Sequence, residues 1–128
     1  MRLLLDTHTF LWFVLNDPQL SAAAAALIAD PANRIEISPA SYWEIAIKIR
    51  IGKYALPDPL DVFMQRELAV NDFHVLSIEP RHTMPLTTLS FHHRDPFDRL
   101  LVAQAMTEEI SLVSADSILY AYPIKRLW

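Results

Sequence analysis

Residues 3–13, LLLDTHTFLWF, place a short apolar run directly before a helical pattern. The run Arg2 to Leu5 is short and apolar, which is typical of a buried β-strand. It ends at Asp6, and from Thr7 to Asn16 the apolar residues recur at helical spacing until Asp17-Pro18 stops them. A buried strand followed at once by a helix predicts the first unit of an α/β fold.

The rest of the chain repeats this alternation. We predict further strands at Arg34–Ser38, His74–Ile78, Ser111–Ser114 and near Ile124, and helices at Ser21–Ala29, Leu60–Asn71, Phe97 to about Glu108 and, briefly, from Asp116, with an irregular or short helical stretch before Pro85. Alternating strands and helices imply a mostly parallel sheet between two helical layers, a three-layer α/β/α sandwich. A chain of 128 residues has the length of a single domain, 1–128.

Residues 38–53 give conflicting signals. The isoleucines from Ile45 to Ile51 alternate with other residues as in a half-buried strand. Ser41 and Glu44, however, form a Ser-x-x-Glu capping box, and Gly52 is a suitable helix stop. We therefore predict a helix here.

Composition and charge limit the function classes. The absence of cysteine excludes disulfides and zinc-thiolate sites and suits a reducing compartment. No apolar run is long enough to span a bilayer and the start lacks a cleavage site, so we expect a cytoplasmic protein. A net charge of −4 opposes binding of a polyanion unless several acids hold cations.

Four acids fall at predicted junctions between strands and helices: Asp6, Glu44, Asp98 and Asp116. Each could simply cap a helix. Capping alone does not explain why all four should meet at the sheet edge where ligands bind, without a matching Lys or Arg for each. Crowded carboxylates repel one another, and a divalent cation relieves that repulsion. Oxygen ligands favour Mg²⁺ or Mn²⁺, whose charge can activate water to hydrolyse a phosphodiester; one or two ions remain open.

The motifs LLLDTHTFLWF, SYWEIAIKIRIGK, HHRDPFDRLLVAQA and LVSAD resemble those of PIN-domain nucleases, particularly VapC-type toxins of bacterial toxin–antitoxin pairs. By position, Asp6, Glu44, Asp98 and Asp116 are similar to the family's acids. Ser114 stands where many members have Thr, and it and Thr7 are expected to support the site. Asp95 is a possible competitor, but as the residue before Pro96 it better fits a plain cap.

The resemblance implies a PIN-like fold, magnesium-dependent cleavage of RNA, a homodimer and a cognate antitoxin. Lys48, Arg94 and Arg99 are candidate phosphate contacts. We do not expect His92 and His93 to bind metal, because adjacent residues normally point apart, and we expect Trp12 and Trp43 to lie in the core.

Three alternatives stay open. A PIN scaffold could pair with an antitoxin while its nuclease activity is weak or lost. A phosphatase with an aspartyl nucleophile needs Asp-x-Asp after the first strand, where His8 takes the second place. A receiver domain usually has a late Lys-Pro, whereas this chain has Pro123-Ile124-Lys125.

Overall fold

The computed structural model describes all residues, 1–128. Its strands are β1 Arg2–Leu5, β2 Arg34–Ile37, β3 His74–Val75, β4 Ser111–Val113 and β5 Arg126–Leu127. Its α-helices are α1 Thr7–Val14, α2 Ala22–Ala29, α3 Pro39–Arg50, α4 Leu60–Asn71, α5 Pro80–Thr83 and α6 Pro96–Glu108, with 3₁₀ helices at Met84–Thr87 and Ser117–Ala121. The predicted α/β architecture is confirmed.

The five strands form one sheet in the order β3-β2-β1-β4-β5, and all pairs are parallel. The chain moves outward from β1 through β2 to β3, then crosses to the other side of β1 to form β4. The direction in which strands are added to the sheet therefore reverses between β1 and β4, which makes this position a topological switch point. In open parallel sheets, ligands bind at such a switch point.

The sheet separates two cores. Leu3 and Leu5 of β1 belong to a cluster of 13 buried residues, and Leu4 points to the other face, into a cluster of 11. Side chains of a strand alternate between faces, so an uninterrupted apolar run is what a strand covered on both sides requires. This explains why β1 reads as three consecutive leucines.

Helix α3 is present as predicted, but it begins earlier than the capping box indicates. Ser38 is the cap, its side chain accepts from the Ala40 N–H, and Pro39 stands in the first turn. The predicted capping box of Ser41 and Glu44 is therefore wrong. Both residues lie inside the helix, and their side chains do not cap it.

Two further predictions need correction. Strand β3 has two residues instead of five, because it lies at the sheet edge and pairs only with Glu36 and Ile37 of β2. Trp43 is 62% exposed and not in the core; it packs edge-on against Phe97, with ring centroids 5.0 Å apart. Trp12 is half-buried against Trp128.

Candidate metal and active site

The carboxyl ends of β1 and β4 meet at the switch point of the sheet. Asp6 directly follows β1 and caps α1, with its Oδ1 accepting from the Thr9 N–H at 2.8 Å. Asp116 follows β4 and caps the 3₁₀ helix, accepting from the Ile118 N–H at 3.0 Å. Both acids therefore have the capping contacts that the sequence allowed, and each keeps a second carboxylate oxygen for another partner.

Ser114 connects these two acids. Its buried hydroxyl donates to Asp6 Oδ2 and accepts from the Asp116 N–H at 3.1 Å. Thr7, the other predicted supporting residue, is also buried and donates from Oγ1 to Ser41 Oγ at 2.9 Å, which ties the start of α1 to α3. Ser41 thus makes a contact between helices.

His93, which we did not predict as a site residue, lies close to both Asp98 and Asp116. His93 Nε2 contacts Asp116 Oδ2 and lies 3.6 Å from Asp98 Oδ2. One potential ligand atom from each of these three side chains lies within 4.8 Å of the other two. The structure therefore places Asp98, at the start of α6, close to Asp116, which follows β4.

The charges of other acids also affect the pKa of Asp98. Burial, followed by the charge of Asp95, raises its pKa to about 7; His93 acts in the opposite direction, and Asp6 and Glu44 add to the rise. Charges act in this way only over short distances. Asp6 and Glu44 therefore lie close enough to Asp98 for their charges to act on its pKa.

The opposite shift occurs at the pair of His93 and Asp116. Burial lowers the pKa of His93, but the hydrogen bond to Asp116 and the charges of the nearby acids outweigh it, and the result is a raised pKa. Burial raises the pKa of Asp116, but hydrogen bonds from His93 and the Ile118 amide, with the charges of His93 and Arg126, give a lowered pKa. The pair favours an imidazolium beside a carboxylate.

Glu44 is the least supported of the acids. It is 6% exposed, and no hydrogen bond or ion pair holds its carboxylate, so the ordinary helical pair with Lys48 is absent. Tyr54 lies close by: burial raises its pKa, and the charges of Glu44 and Asp6 add to the effect. A nearly buried carboxylate without a partner is costly unless a cation approaches it.

Asp95 and Asp98 have different tasks. Asp95 Oδ1 accepts from the N–H groups of Phe97 and Asp98 at 2.8 and 3.2 Å, so Asp95 is the cap of α6. Asp98 lies in the first turn of the helix, and its carboxylate makes no capping bond. This geometry supports the preference for Asp98 over Asp95.

The predicted phosphate contacts differ in their suitability. Arg99 is 7% exposed and donates to the carbonyl oxygens of Ser90 and Leu89 at 2.9 and 3.1 Å, so its guanidinium is already used inside the protein. Arg99 could therefore reach a phosphate only by giving up these contacts. Lys48 is half-buried and Arg94 is exposed, and neither makes an ion pair, so both remain candidates.

Sequence reasoning missed His93 and Arg126. The pair His92-His93 beside Asp95 is a visible signal, but the side chains of adjacent residues are expected to point apart. They do point apart here: His92 packs on Tyr122 and only His93 reaches the acids. Arg126 donates to the Ser114 carbonyl oxygen at 2.6 Å and had no sequence signal.

The donor set fits a divalent cation. It supplies carboxylate oxygens from four chain segments, two of them nearly buried, and no Lys or Arg forms an ion pair with any of these acids. The imidazole of His93 is the basic side chain that lies within ion-pairing distance of these acids, at Asp98 and Asp116. Such a set suits Mg²⁺ or Mn²⁺.

Comparison with known proteins agrees with the fold and the motifs. Residues 3–125 match the PIN domain family, and the chain belongs to that family. The phosphatase and receiver-domain alternatives are therefore wrong. Over 70 residues the chain is 36% identical to ribonuclease VapC16 of Mycobacterium tuberculosis; the match covers 52% of this chain and 50% of that protein, so the chain spans about half the length of the curated relative it matches.

Solved structures show the same fold across the whole chain. VapBC2 from Rickettsia felis, bound to a DNA fragment from its promoter, is similar with a TM-score of 0.65 and 16% identity, covering 99% of this chain and 98% of the other. FitAcB from Neisseria gonorrhoeae has a TM-score of 0.64 and 15% identity, covering 98% and 96%. The predicted PIN-like sandwich is thus confirmed. No helix combines the length and the apolar character needed to cross a membrane.

Proposed function

We propose that this protein is a metal-dependent endoribonuclease and the toxin of a toxin–antitoxin pair. The observation that carries the proposal is the convergence of Asp98 and Asp116 beside His93, with the charges of Asp6 and Glu44 acting on Asp98. The identity to a relative named a ribonuclease supports RNA as the substrate. The likeness to VapBC structures supports an antitoxin partner.

The site residues have distinct tasks in this proposal. Asp6, Asp98 and Asp116 hold Mg²⁺ or Mn²⁺, and Glu44 completes the negative site from α3. Ser114 fixes one oxygen of Asp6 and the backbone before Asp116. A bound divalent cation would polarise the phosphate and lower the pKa of an attacking water. No side-chain nucleophile is then needed.

The RNA must approach a protein of net charge −4. Exposed Arg94 precedes the acid-bearing helix α6, and Lys48 lies one turn after Glu44 on α3, so both can meet phosphates that flank the scissile bond. Phosphate contacts of this type supply affinity without reading sequence. The cation neutralises the acids where the backbone comes closest.

A homodimer is also part of the proposal. Trp43, Ile47 and Ile51 are 62%, 37% and 57% exposed along the outer side of α3 and its end. Apolar side chains grouped in this way are common at subunit contacts. Light scattering on the purified protein measures the mass that decides between monomer and dimer.

Cleavage of RNA by matched variants tests the function. Asp6→Asn and Asp98→Asn should each lower the rate with Mg²⁺ or Mn²⁺ by about a thousandfold or more, since metal catalysis contributes several kcal/mol. Asp95→Asn is the matched control, because asparagine caps a helix as well as aspartate does and the rate should stay within about threefold. Circular dichroism confirms that each variant is folded.

The scaffold alternative predicts a different result. If the wild type cleaves no RNA with either ion but binds its antitoxin tightly, the protein is a binding scaffold and the proposal of nuclease activity is wrong. If Asp95→Asn loses activity and Asp98→Asn keeps it, the assignment of the acids is wrong.

A further inference from the structure

His93 lies where a cation held by Asp98 and Asp116 would bind. Its Nε2 contacts Asp116 Oδ2 and is 3.6 Å from Asp98 Oδ2. The three potential ligand atoms all lie within 4.8 Å of one another, a spacing that one metal ion can bridge. The ring therefore does more than pack near the acids, because the nitrogen itself faces both carboxylates.

The segment that carries His93 is fixed from two sides. The His93 N–H donates to the buried Tyr122 hydroxyl at 2.7 Å. Arg99 holds the carbonyl oxygens of Leu89 and Ser90, and its guanidinium stacks on Phe91 at 4.0 Å from the ring centroid. A ligand on a segment held in this way loses little freedom when it binds a metal.

We propose that His93 is a nitrogen ligand of the metal site and makes it prefer Mn²⁺ to Mg²⁺. This inference rests on the proposed function, because it concerns the same cation site. Mg²⁺ binds through oxygen and keeps its waters, whereas transition ions gain affinity from an imidazole nitrogen. A site of carboxylates alone would discriminate less between the two ions.

The imidazole can meet the requirement for coordination. Binding through Nε2 releases the proton from that nitrogen to solvent and leaves the ring proton on Nδ1, which has no hydrogen-bond partner within the protein. His92 is a natural comparison, since it is the adjacent residue but packs its ring on Tyr122, with centroids 5.1 Å apart. It cannot contribute to the same cation.

Electron spin echo spectroscopy of bound Mn²⁺ tests the proposal without reference to activity. The full-length wild type with one equivalent of Mn²⁺ should show modulation from a directly coordinated ¹⁴N nucleus. Protein labelled with ¹⁵N-histidine should show the ¹⁵N pattern instead, a test that needs no substitution. His93→Ala should lose the nitrogen signal, and His92→Ala should keep it.

Equilibrium titrations measure the expected preference. His93→Ala should weaken Mn²⁺ binding about tenfold or more and Mg²⁺ binding by less than about threefold, while His92→Ala changes neither. Equal weakening of both ions would mean that His93 only orients Asp116, and the inference would be overturned.

The outcomes also separate this inference from the proposed function. Mn²⁺ bound without any histidine nitrogen signal contradicts the assignment of His93 and leaves the nuclease proposal intact. No binding of either cation contradicts both.

Discussion

Ser114 shows how a single hydroxyl can organise the proposed site. It donates to Asp6 and accepts from the backbone N–H of Asp116, and it is buried. Ser114→Ala should lower the free energy of unfolding by about 1–3 kcal/mol, because a buried acceptor and a donor lose their partner. Urea denaturation measures this loss.

The matched variant at this position is Ser114→Thr. It keeps the hydroxyl, so RNA cleavage should recover to within a few-fold of the wild type, whereas Ser114→Ala should remain well below both. If the alanine variant cleaves RNA as fast as the wild type, the hydroxyl does not position the acids.

Asp98 makes stability depend on pH. Its pKa is raised from 3.8 to about 7, so the folded protein holds the proton more tightly than the unfolded chain does. Stability is then complete below the unfolded value and falls as the pH rises towards 7.

The variant Asp98→Asn removes this dependence. In the presence of EDTA at pH 8, it should be more stable than the wild type by on the order of 2 kcal/mol, with allowance for the solvent around the partly exposed carboxyl. At pH 4 the difference should nearly vanish, and urea denaturation at both values checks it. Equal stability of the two proteins at pH 8 would show that the ionised carboxylate of Asp98 does not lower the free energy of unfolding.

At this scale the sequence indicated the acids and the supporting hydroxyls, because strand ends and helix starts are local patterns. Asp6 and Asp116 follow their strands as expected. The sequence does not show where the side chain of His93 points, because tertiary contacts position its segment. The His93 N–H donates to Tyr122, which is distant in sequence, and the buried Arg99 holds the carbonyl oxygen of Ser90. The use of Arg99 within the protein was hidden for the same reason.

Arg99 holds the loop before α6, because its guanidinium donates hydrogen bonds to two carbonyl oxygens of that loop. Arg99→Lys loses the planar fork that reaches two carbonyl oxygens and the stack on Phe91, so it should destabilise the protein by about 2 kcal/mol. Arg94→Ala, at an exposed position, should change stability by less than about 0.5 kcal/mol. Denaturation of both variants measures the difference.

Substitution of Arg94 should affect RNA binding, although it should hardly affect stability. Arg94→Ala should weaken binding to all RNA sequences alike and reduce the salt dependence by about one unit of slope. Filter binding in Mg²⁺ at several salt concentrations, with an RNA analogue that cannot be cleaved, measures this. An unchanged salt dependence would exclude Arg94 as a phosphate contact.

Elements were predictable where the local signal was strong and less so at their ends. Helix α3 illustrates this: Ile45 is buried while Ile47, two residues later, is 37% exposed, so the alternation that resembles a strand divides between two faces of a helix. Strand β3 was predicted too long because an apolar run does not show where its neighbour stops. Leu76, just beyond β3, is buried in the second core instead.

The whole molecule brings four distant segments to one place through its strand order. A parallel sheet with helices on both faces follows from the alternating pattern, but the order β3-β2-β1-β4-β5 does not, since it depends on contacts between residues far apart in sequence. That order puts β4 beside β1, and thereby Asp116 beside Asp6. The resemblance to PIN domains implies a shared acidic site, but the sequence analysis predicts no strand order.

The net charge of −4 bears on the proposed function of the whole molecule. An RNA substrate and the negative site would repel each other until a cation is present. Binding of a divalent ion by the acids therefore matters more to the proposed function than any single contact.

Anomalous X-ray scattering at the manganese absorption edge, from crystals of the wild type soaked in Mn²⁺, shows whether the acids bind a cation. We expect a peak within about 2.0–2.6 Å of carboxylate oxygens of Asp98 and Asp116, near Asp6, and no such peak in Asp98→Asn. Crystals that contain Mn²⁺ but show no peak among these carboxylates would contradict this expectation.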